Sequence, residues 1–273
     1  MTTQPAGPSP LTHRNATAAA FFDLDKTILA KSSSLMFARP FYRNGLIGRA
    51  DVLRSAYAQF VFLGSGADHD QIEQLRNYLS ALCKGWPVDQ VTAIVNETLD
   101  ELVEPTIYEE ALALIDEHHA AGRDVIIVSS SGTEIVEPIG VRLGVDLAVG
   151  SQLAVEDGRY TGEILFYAYG PAKAEAIREL AAEHGYDLSQ CYAYSDSQTD
   201  VPMLECVGYP FAVNPDTELR RTAAARSWPV LDFARPTTMR PRPRGDQAAA
   251  AAAAIGAVAL GVAWYAARRR DRA

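Results

Sequence analysis

The chain has 273 residues, of which 48% are hydrophobic and 22% are charged, a balance typical of a folded globular protein. This composition excludes wholesale disorder, collagen-like repeats and a polytopic membrane protein. The formal net charge of −9 argues against nucleic acid as a partner. The charge is uneven, because the segment that starts at Arg235 holds eight arginines and only two aspartates. We therefore expect an acidic body and a separate basic tail.

The cysteine content and the N-terminal segment both bear on the cellular compartment of the protein. The three cysteines are too few and too scattered for a disulfide framework or a metal cluster, so we expect reduced thiols buried as small apolar residues. Residues 1–15 are rich in Pro, Thr and Ala and are predicted to form a disordered leader. They lack a basic start followed by an apolar core, so they do not resemble a secretion signal. The folded body is therefore expected in the cytoplasm.

Strand and helix patterns alternate along most of the chain. Residues 18–22 form a short apolar run that predicts a buried strand, and apolar residues at helical spacing then dominate residues 32–105. The later predicted elements are a helix at 109–121, a strand at 124–128, a helix at 132–143, a hairpin at 145–164, a helix at 171–184, a strand at 191–194, a helix from 201 and a strand at 209–213. This order predicts an α/β fold with an open, mostly parallel sheet and a helical insertion after the first strand.

Polar residues follow three of the predicted strands, at 23–27, 129–131 and 196–200. In an open parallel sheet, ligands bind outside the carboxyl ends of the strands, so these residues predict one shared site. Lys173 lies in the first turn of a predicted helix, where the helix dipole disfavours a cation. Its position therefore suggests a nearby anion, and Lys173 is the cationic candidate for the same site.

The carboxylates of this site indicate a metal and an acid–base pair. Asp23, Asp196 and Asp200 cannot all be ionised side by side without a cation, and hard oxygen ligands favour Mg²⁺. Asp23 and Asp25 lie two residues apart and would share a face of an extended strand end. One of them can be a nucleophile that forms an aspartyl-phosphate, and the other can be a general acid and base. Ser129 and the backbone N–H groups after it can hold phosphoryl oxygens.

The same segments resemble, in order, the four motifs of the haloacid dehalogenase superfamily of phosphohydrolases. Residues 21–27 are similar to its first motif, an apolar strand followed by DxDxT, and residues 126–129 to its second, an apolar strand ending in Ser or Thr. Lys173 fits the third motif, and residues 196–200 fit the fourth, DxxxD. The resemblance covers residues 18–215, and it implies a Rossmann-like sheet with an inserted α-helical type-one cap.

Residue roles follow from this resemblance. It implies that Asp23 is the nucleophile, that Asp25 is the general acid and base, and that Lys173 stabilises the charge of the phosphoaspartate. The phosphate-binding residues would be Ser129, Ser130 and Thr27, and the Mg²⁺ ligands would be Asp23, Asp25 through its carbonyl, Asp196 and Asp200. The phosphoserine-phosphatase-like branch is the most similar one. That branch carries a Glu nine residues after the nucleophile, where this chain has Ser32, so the resemblance leaves the substrate open.

The C-terminal tail contains 20 consecutive uncharged residues, 248–267, with arginines on both sides. This length suits a membrane-spanning helix, and Trp264 and Tyr265 beside an arginine cluster are typical of a membrane interface. We expect a single C-terminal transmembrane helix that tethers the cytoplasmic domain; a helix lying on the membrane surface and a soluble helix are the alternatives. The predicted organisation is a leader at 1–15, a catalytic core at 16–31 and 106–234, a cap at 32–105, a linker at 235–247, the transmembrane helix at 248–267 and a basic tail at 268–273.

The sequence thus predicts a magnesium-dependent phosphomonoester hydrolase that works through an aspartyl-phosphate. Its expected substrate is a phosphorylated small molecule or the head-group phosphate of a lipid. Two alternatives use the same residues differently. The first is a phosphotransferase with the same site, and the second is a catalytically silent scaffold tethered to the membrane.

Overall fold

The computed structural model describes residues 16–48 and 80–236, and these form an α/β fold around one seven-stranded sheet. The strand order is β4-β3-β2-β1-β5-β6-β7. All neighbouring strands are parallel except β4, which is antiparallel to β3. The strands are β1 (Ala19–Phe22), β2 (Asp124–Gly132), β3 (Leu147–Glu156), β4 (Arg159–Phe166), β5 (Tyr192–Ser195), β6 (Tyr209–Val213) and β7 (Val230–Leu231). The predicted fold class, a mostly parallel α/β sheet, is confirmed.

The helices of the described residues alternate with these strands as the sequence predicted. They are α1 (Ser33–Arg43), α2 (Val88–Leu102), α3 (Glu109–Ala120), α4 (Thr133–Leu143), α5 (Pro171–His184), α6 (Val201–Glu205) and α7 (Thr217–Arg226), with short 3-10 turns at Glu104–Thr106, Leu188–Gln190 and Gln198–Asp200. Helix α5 shows why local prediction worked here. Pro171 occupies its first turn without the loss of a backbone bond, and Gly185 ends it in the left-handed conformation.

Strand β1 lies at the centre of the sheet, between β2 and β5. All four of its residues are buried, which explains the uninterrupted apolar run: a parallel strand covered on both faces has no solvent side to mark with polar residues. Phe21 pairs with Ile126 of β2 and with Ala193 of β5. The strand order reverses at β1, so the crevice beyond its carboxyl end is the expected ligand position of such a sheet.

Strand β2 is longer than predicted, since it continues through the serines to Gly132 instead of ending at Val128. The pairing with β3 shifts register between Val128 and Gly132, and Gly132 pairs with Ser151. The hydroxyl of Ser151 also donates to the carbonyl of Ser130 at 2.8 Å. These long-range bonds hold the serine run in the sheet, which a local turn pattern in the sequence did not show.

The expectation about the thiols is met in part, and the predicted cap is only partly covered by the described residues. All three cysteines are free, but only Cys191 is buried, whereas Cys83 and Cys206 are half-buried. Of the predicted cap, residues 32–48 and 80–105 are described, and helices α1 and α2 pack against each other there. The cap residues 49–79 lie outside the described part.

No helix within residues 16–48 and 80–236 has the length and apolar content that crossing a membrane requires. The predicted leader and the predicted transmembrane helix at 248–267 lie outside these residues, as does the end of the linker.

Candidate active site

The site begins where β1 ends. The backbone N–H of Asp23 donates to the carbonyl of Tyr194 in β5 at 2.9 Å, which extends the pairing of the two strands by one residue. The chain then turns sharply: the N–H of Ile28 donates to the carbonyl of Leu24 at 3.0 Å. As a result Asp23, at the carboxyl end of β1, is buried, with only 6% of the residue exposed. The hydroxyl of Thr27 donates to Asp23 Oδ2 at 3.4 Å, so Thr27 supports the carboxylate directly.

Lys173 joins two of the carboxylates. Its Nζ donates to Asp23 Oδ1 at 2.6 Å and to Asp200 Oδ2 at 2.7 Å, and all three side chains are buried. Although burial lowers the pKa of Lys173, the negative charges of Asp200 and Asp23 more than offset this and raise it above its ordinary value. Lys173 is therefore protonated at neutral pH. The structure thus places the predicted cation beside the predicted anions.

The fourth predicted segment reaches the site from β5. Asp200 accepts a second hydrogen bond at Oδ2 from the hydroxyl of Ser195, at 2.7 Å. Burial, followed by repulsion from Asp23, raises the pKa of Asp196 to about 8. Ser195 was not among the site residues predicted from the sequence. Its position directly before Asp196, at the end of a buried strand, was the signal that could have indicated it.

The serines of β2 lie at the same end of the sheet. Ser129 is buried, and its Oγ accepts a hydrogen bond from the N–H of Ser131 at 3.3 Å. Ser130 is half-buried, with its carbonyl bound to β3. Ser131 Oγ lies 2.7 Å from Ser33 Oγ and connects the strand end to helix α1. Ser129 and Ser130 are therefore at the predicted end of the sheet. Ser131, which was predicted in the same polar segment without a role of its own, links this end to helix α1.

The carboxylate of Asp25 is hydrogen-bonded to the start of α1. Its Oδ1 accepts from the N–H of Ser33 at 2.8 Å, and its Oδ2 accepts from the hydroxyl of Ser32 at 3.1 Å. Burial raises the pKa of Asp25, and the hydrogen bonds from the two serines act in the opposite direction. In the sequence, Ser32 was notable only as a departure from the family pattern. A run of serines at a predicted helix start was the available signal for this contact.

The charges of the site fit a divalent cation. Burial raises the pKa of Asp23 to about 7, Lys173 opposes the rise, and the charge of Asp200 adds to it. The one buried lysine binds Asp23 and Asp200, and the exposed Lys26 acts more strongly than Lys173 on Asp196. The pKa of Asp196 is raised all the same, so further positive charge is needed for Asp23 and Asp196 to be ionised together. The donors are carboxylate oxygens, which Mg²⁺ prefers. The residues present therefore fit a magnesium ion held by Asp23 and Asp196.

The four predicted metal ligands are nevertheless not gathered into one cluster. Among the residues that the structure describes, no three His, Cys, Asp or Glu side chains are grouped as a metal site. Two contacts explain this: Lys173 binds Asp200, and the Asp25 carboxylate binds the start of α1. Asp25 could still contribute its backbone carbonyl, as the resemblance implies.

Comparison with known proteins decides the family. The profile of the haloacid dehalogenase-like hydrolases matches residues 20–205, which include every residue of the site described above. The chain belongs to this family. The resemblance to the haloacid dehalogenase superfamily is thereby confirmed, and the protein is an enzyme, a hydrolase.

Relatives of this hydrolase are found over nearly its whole length. It is 64% identical over 260 residues to a protein of Streptomyces azureus named "Inhibition of morphological differentiation protein", covering 92% of this chain and 94% of that one. It is 54% identical over 270 residues to a "probable phosphatase" of Mycobacterium tuberculosis, covering 97% and 93%. A solved phosphoserine phosphatase, described as a phospho-aspartyl intermediate analogue, shares its fold with a TM-score of 0.58, 21% identity, and coverage of 81% and 95%.

Proposed function

We propose that this hydrolase is a magnesium-dependent phosphatase that cleaves phosphomonoesters through an aspartyl-phosphate on Asp23. The contact between Lys173 Nζ and Asp23 Oδ1, at 2.6 Å in a buried site, carries the proposal. A buried ammonium group keeps a carboxylate ionised and oriented, as a nucleophile requires. The relative named probable phosphatase supports the same reaction class.

In the first step, an oxygen of Asp23 attacks the phosphorus atom, and the bond from phosphorus to the ester oxygen breaks. Asp25 donates a proton to that oxygen, so the product leaves as an alcohol. Lys173 offsets negative charge on the phosphorylated Asp23. Ser129, Ser130 and the backbone N–H groups at the end of β2 bind the phosphoryl oxygens, and Thr27 holds the second oxygen of Asp23.

In the second step, Asp25 accepts a proton from a water molecule, and the water oxygen attacks the phosphorus atom. The bond between phosphorus and the Asp23 oxygen breaks, which releases inorganic phosphate and regenerates both aspartates. Magnesium bound at Asp23 and Asp196 would supply positive charge to the phosphoryl group and keep both carboxylates ionised.

Hydrolysis of 4-nitrophenyl phosphate by the purified protein, with and without Mg²⁺, tests this proposal. We expect activity that needs Mg²⁺ and that disappears in Asp23→Asn. The expected effect of Asp25→Asn is a loss in kcat of about 10²- to 10⁴-fold, the usual contribution of a general base, because Asp25 also activates the water of the second step. Acid quenching during turnover should trap a phosphorylated wild-type protein and no phosphorylated Asp23→Asn. A folded protein without activity on a broad panel of phosphate esters would contradict the proposal.

For the tail, we propose that residues 248–267 tether the enzyme to a membrane, on the strength of their uncharged length and arginine flanks. A lipid head-group phosphate would then be within reach of the site, and a phosphorylated small molecule is the other substrate class. Fractionation of full-length protein and of protein ending at Arg235 tests the tether. Recovery of both in the soluble fraction would contradict it. Equal turnover of a lysophospholipid phosphate by both would argue against the lipid substrate.

A further inference from the structure

The first turn of helix α1 is hydrogen-bonded to Asp25. Asp25 Oδ1 accepts from the N–H of Ser33 at 2.8 Å, and Asp25 Oδ2 accepts from the hydroxyl of Ser32 at 3.1 Å. The two contacts use different oxygens of one carboxyl group. Together they fix the plane of that group, which a single contact would leave free to rotate.

The conformation of Ser32 shows that this arrangement replaces an ordinary helix cap. Ser32 occupies the N-cap position of α1 with extended backbone angles, φ −70° and ψ 125°, but its side chain makes no capping hydrogen bond. A serine at this position normally accepts a bond from an N–H of the first helical turn. Here the carboxylate of Asp25 accepts the N–H of Ser33 instead, and a negative group is favourable at a helix N-terminus. The hydroxyl of Ser32 is thereby available to Asp25.

We infer that Ser32 is a positioning residue for Asp25, so that the first helix of the cap aligns the group that transfers the proton. This inference rests on the proposed function, in which Asp25 is the general acid and base. Proton transfer needs a donor within hydrogen-bond reach of the ester oxygen, and a small rotation of the carboxyl group moves its oxygens out of that reach. Ser32 acts through Asp25 and needs no contact with the substrate.

Neighbouring serines provide a matched control. Ser34 lies two residues further along α1 and is exposed, and its Oγ lies 3.0 Å from Ser131 Oγ. Its hydroxyl therefore contacts the end of β2, whereas that of Ser32 contacts Asp25. Ser32→Ala and Ser34→Ala remove the same group from the same helical turn, and they differ in whether Asp25 loses a partner.

The experiment compares two esters whose leaving groups differ in their need for a proton. Nitrophenolate leaves readily without one, whereas the alkoxide of an alkyl phosphate such as glycerol 2-phosphate requires protonation by Asp25. The value of kcat/KM is measured because it reports phosphorylation of Asp23 and not the later hydrolysis. For Ser32→Ala we expect a loss of about tenfold with glycerol 2-phosphate and less than about threefold with 4-nitrophenyl phosphate, since removing the acid altogether costs about 10²- to 10⁴-fold. Ser32→Thr should restore the alkyl phosphate activity.

The outcomes separate a failure of the positioning role of Ser32 from a failure of the proposed function. Equal losses on both esters in Ser32→Ala, no rescue by Ser32→Thr, or the same leaving-group dependence in Ser34→Ala would overturn the positioning role while the proposed function stands. A wild-type protein that hydrolyses neither ester would overturn the proposed function and this inference with it. If Ser32→Ala fails to fold, judged by circular dichroism, Ser32→Gly serves in its place, because glycine is also accepted at a helix N-cap.

Discussion

The Nζ atom of Lys173 lies 2.6 Å from Oδ1 of Asp23, across 150 residues of chain. Lys173 reaches it from the first turn of α5, and Asp23 from the end of β1. The same Nζ also binds Asp200 at 2.7 Å, so one buried cation holds a carboxylate from each side of the switch point. The energetics and the chemistry of the site both depend on this lysine.

Lys173→Met is expected to destabilise the protein and to abolish activity. It leaves Asp23 and Asp200 buried without their cation, and breaking a buried ion pair in this way costs about 3–5 kcal/mol. Urea unfolding followed by circular dichroism measures the free energy of unfolding. Arg221→Met is the control: it breaks an ion pair with Glu218 whose side chains are 70% and 63% exposed, and such pairs contribute less than about 1 kcal/mol. Similar losses in both variants would contradict this reading.

The stability of the metal-free protein is expected to fall as pH rises from about 4 to about 8. The pKa values of Asp23 and Asp196 are raised by burial to about 7 and about 8, so the folded protein binds these protons more tightly than the unfolded chain does. Stability is therefore greatest below the ordinary pKa of 3.8, where both states are protonated. It falls while only the unfolded chain has ionised, and the loss is complete once each carboxyl has ionised in the folded state. Mg²⁺ should remove most of this fall. The melting temperature is measured across this pH range in EDTA and in Mg²⁺. Identical pH profiles of the melting temperature in the two conditions would count against the metal site.

His118 is expected to produce the opposite pH dependence at lower pH. It is buried, accepts a hydrogen bond from Arg123 Nε at 2.7 Å, and lies 2.9 Å from the hydroxyl of Tyr194. Burial lowers its pKa to about 4, so between the ordinary value of 6.5 and about 4 the unfolded chain binds the extra proton. Its contribution is complete above pH 6.5 and is lost as pH falls toward 4. The difference in stability between wild type and His118→Gln should narrow over that range; a constant difference would rule this out.

Gly150→Ala is expected to weaken both the fold and the site. A Cβ there would lie 2.7 Å from the backbone of Thr133 and 2.9 Å from the carbonyl of Ser131, where nothing flexible can yield. Such overpacking costs about 1–3 kcal/mol, and the displaced backbone carries the proposed phosphate-binding serines. Gly158→Ala is the control, because its Cβ meets nothing within 4 Å and only its φ of +73° is strained, at about 1 kcal/mol. Unfolding and kcat/KM are measured together. Activity equal to that of the control would show that the β2 end tolerates the shift.

The sequence predicted those parts of the fold and site that local patterns encode. Asp23 follows an apolar run, and Lys173 lies two residues after a proline at a helix start. Both could therefore be placed on their elements without knowledge of their tertiary contacts. The place of Asp23 followed from the rule for the carboxyl ends of parallel strands, and that of Lys173 from the anion that a cation in a first helical turn implies. The structure then supplied the distance between them.

Contacts between remote hydroxyl groups were beyond sequence reasoning. Ser33 and Ser131 are 98 residues apart, and a serine can bond to almost any polar neighbour, so nothing in the sequence pairs them. The continuation of β2 to Gly132 was missed for a similar reason, because it depends on bonds from Ser151 that a strand pattern does not reveal. The orientation of Asp25 likewise depends on where the first turn of α1 lies relative to the end of β1.

The carboxylate of Asp25 caps helix α1 as well as facing the proposed chemistry. A single side chain therefore serves both the proposed proton transfer and the start of helix α1. An inactive protein for capturing substrate should accordingly be made at Asp23, which has no bond to α1. In an Asp25 variant, the first turn of α1 would lose its hydrogen bond to this carboxylate. The ligands that such a variant captured would therefore not reflect the selectivity of the intact enzyme.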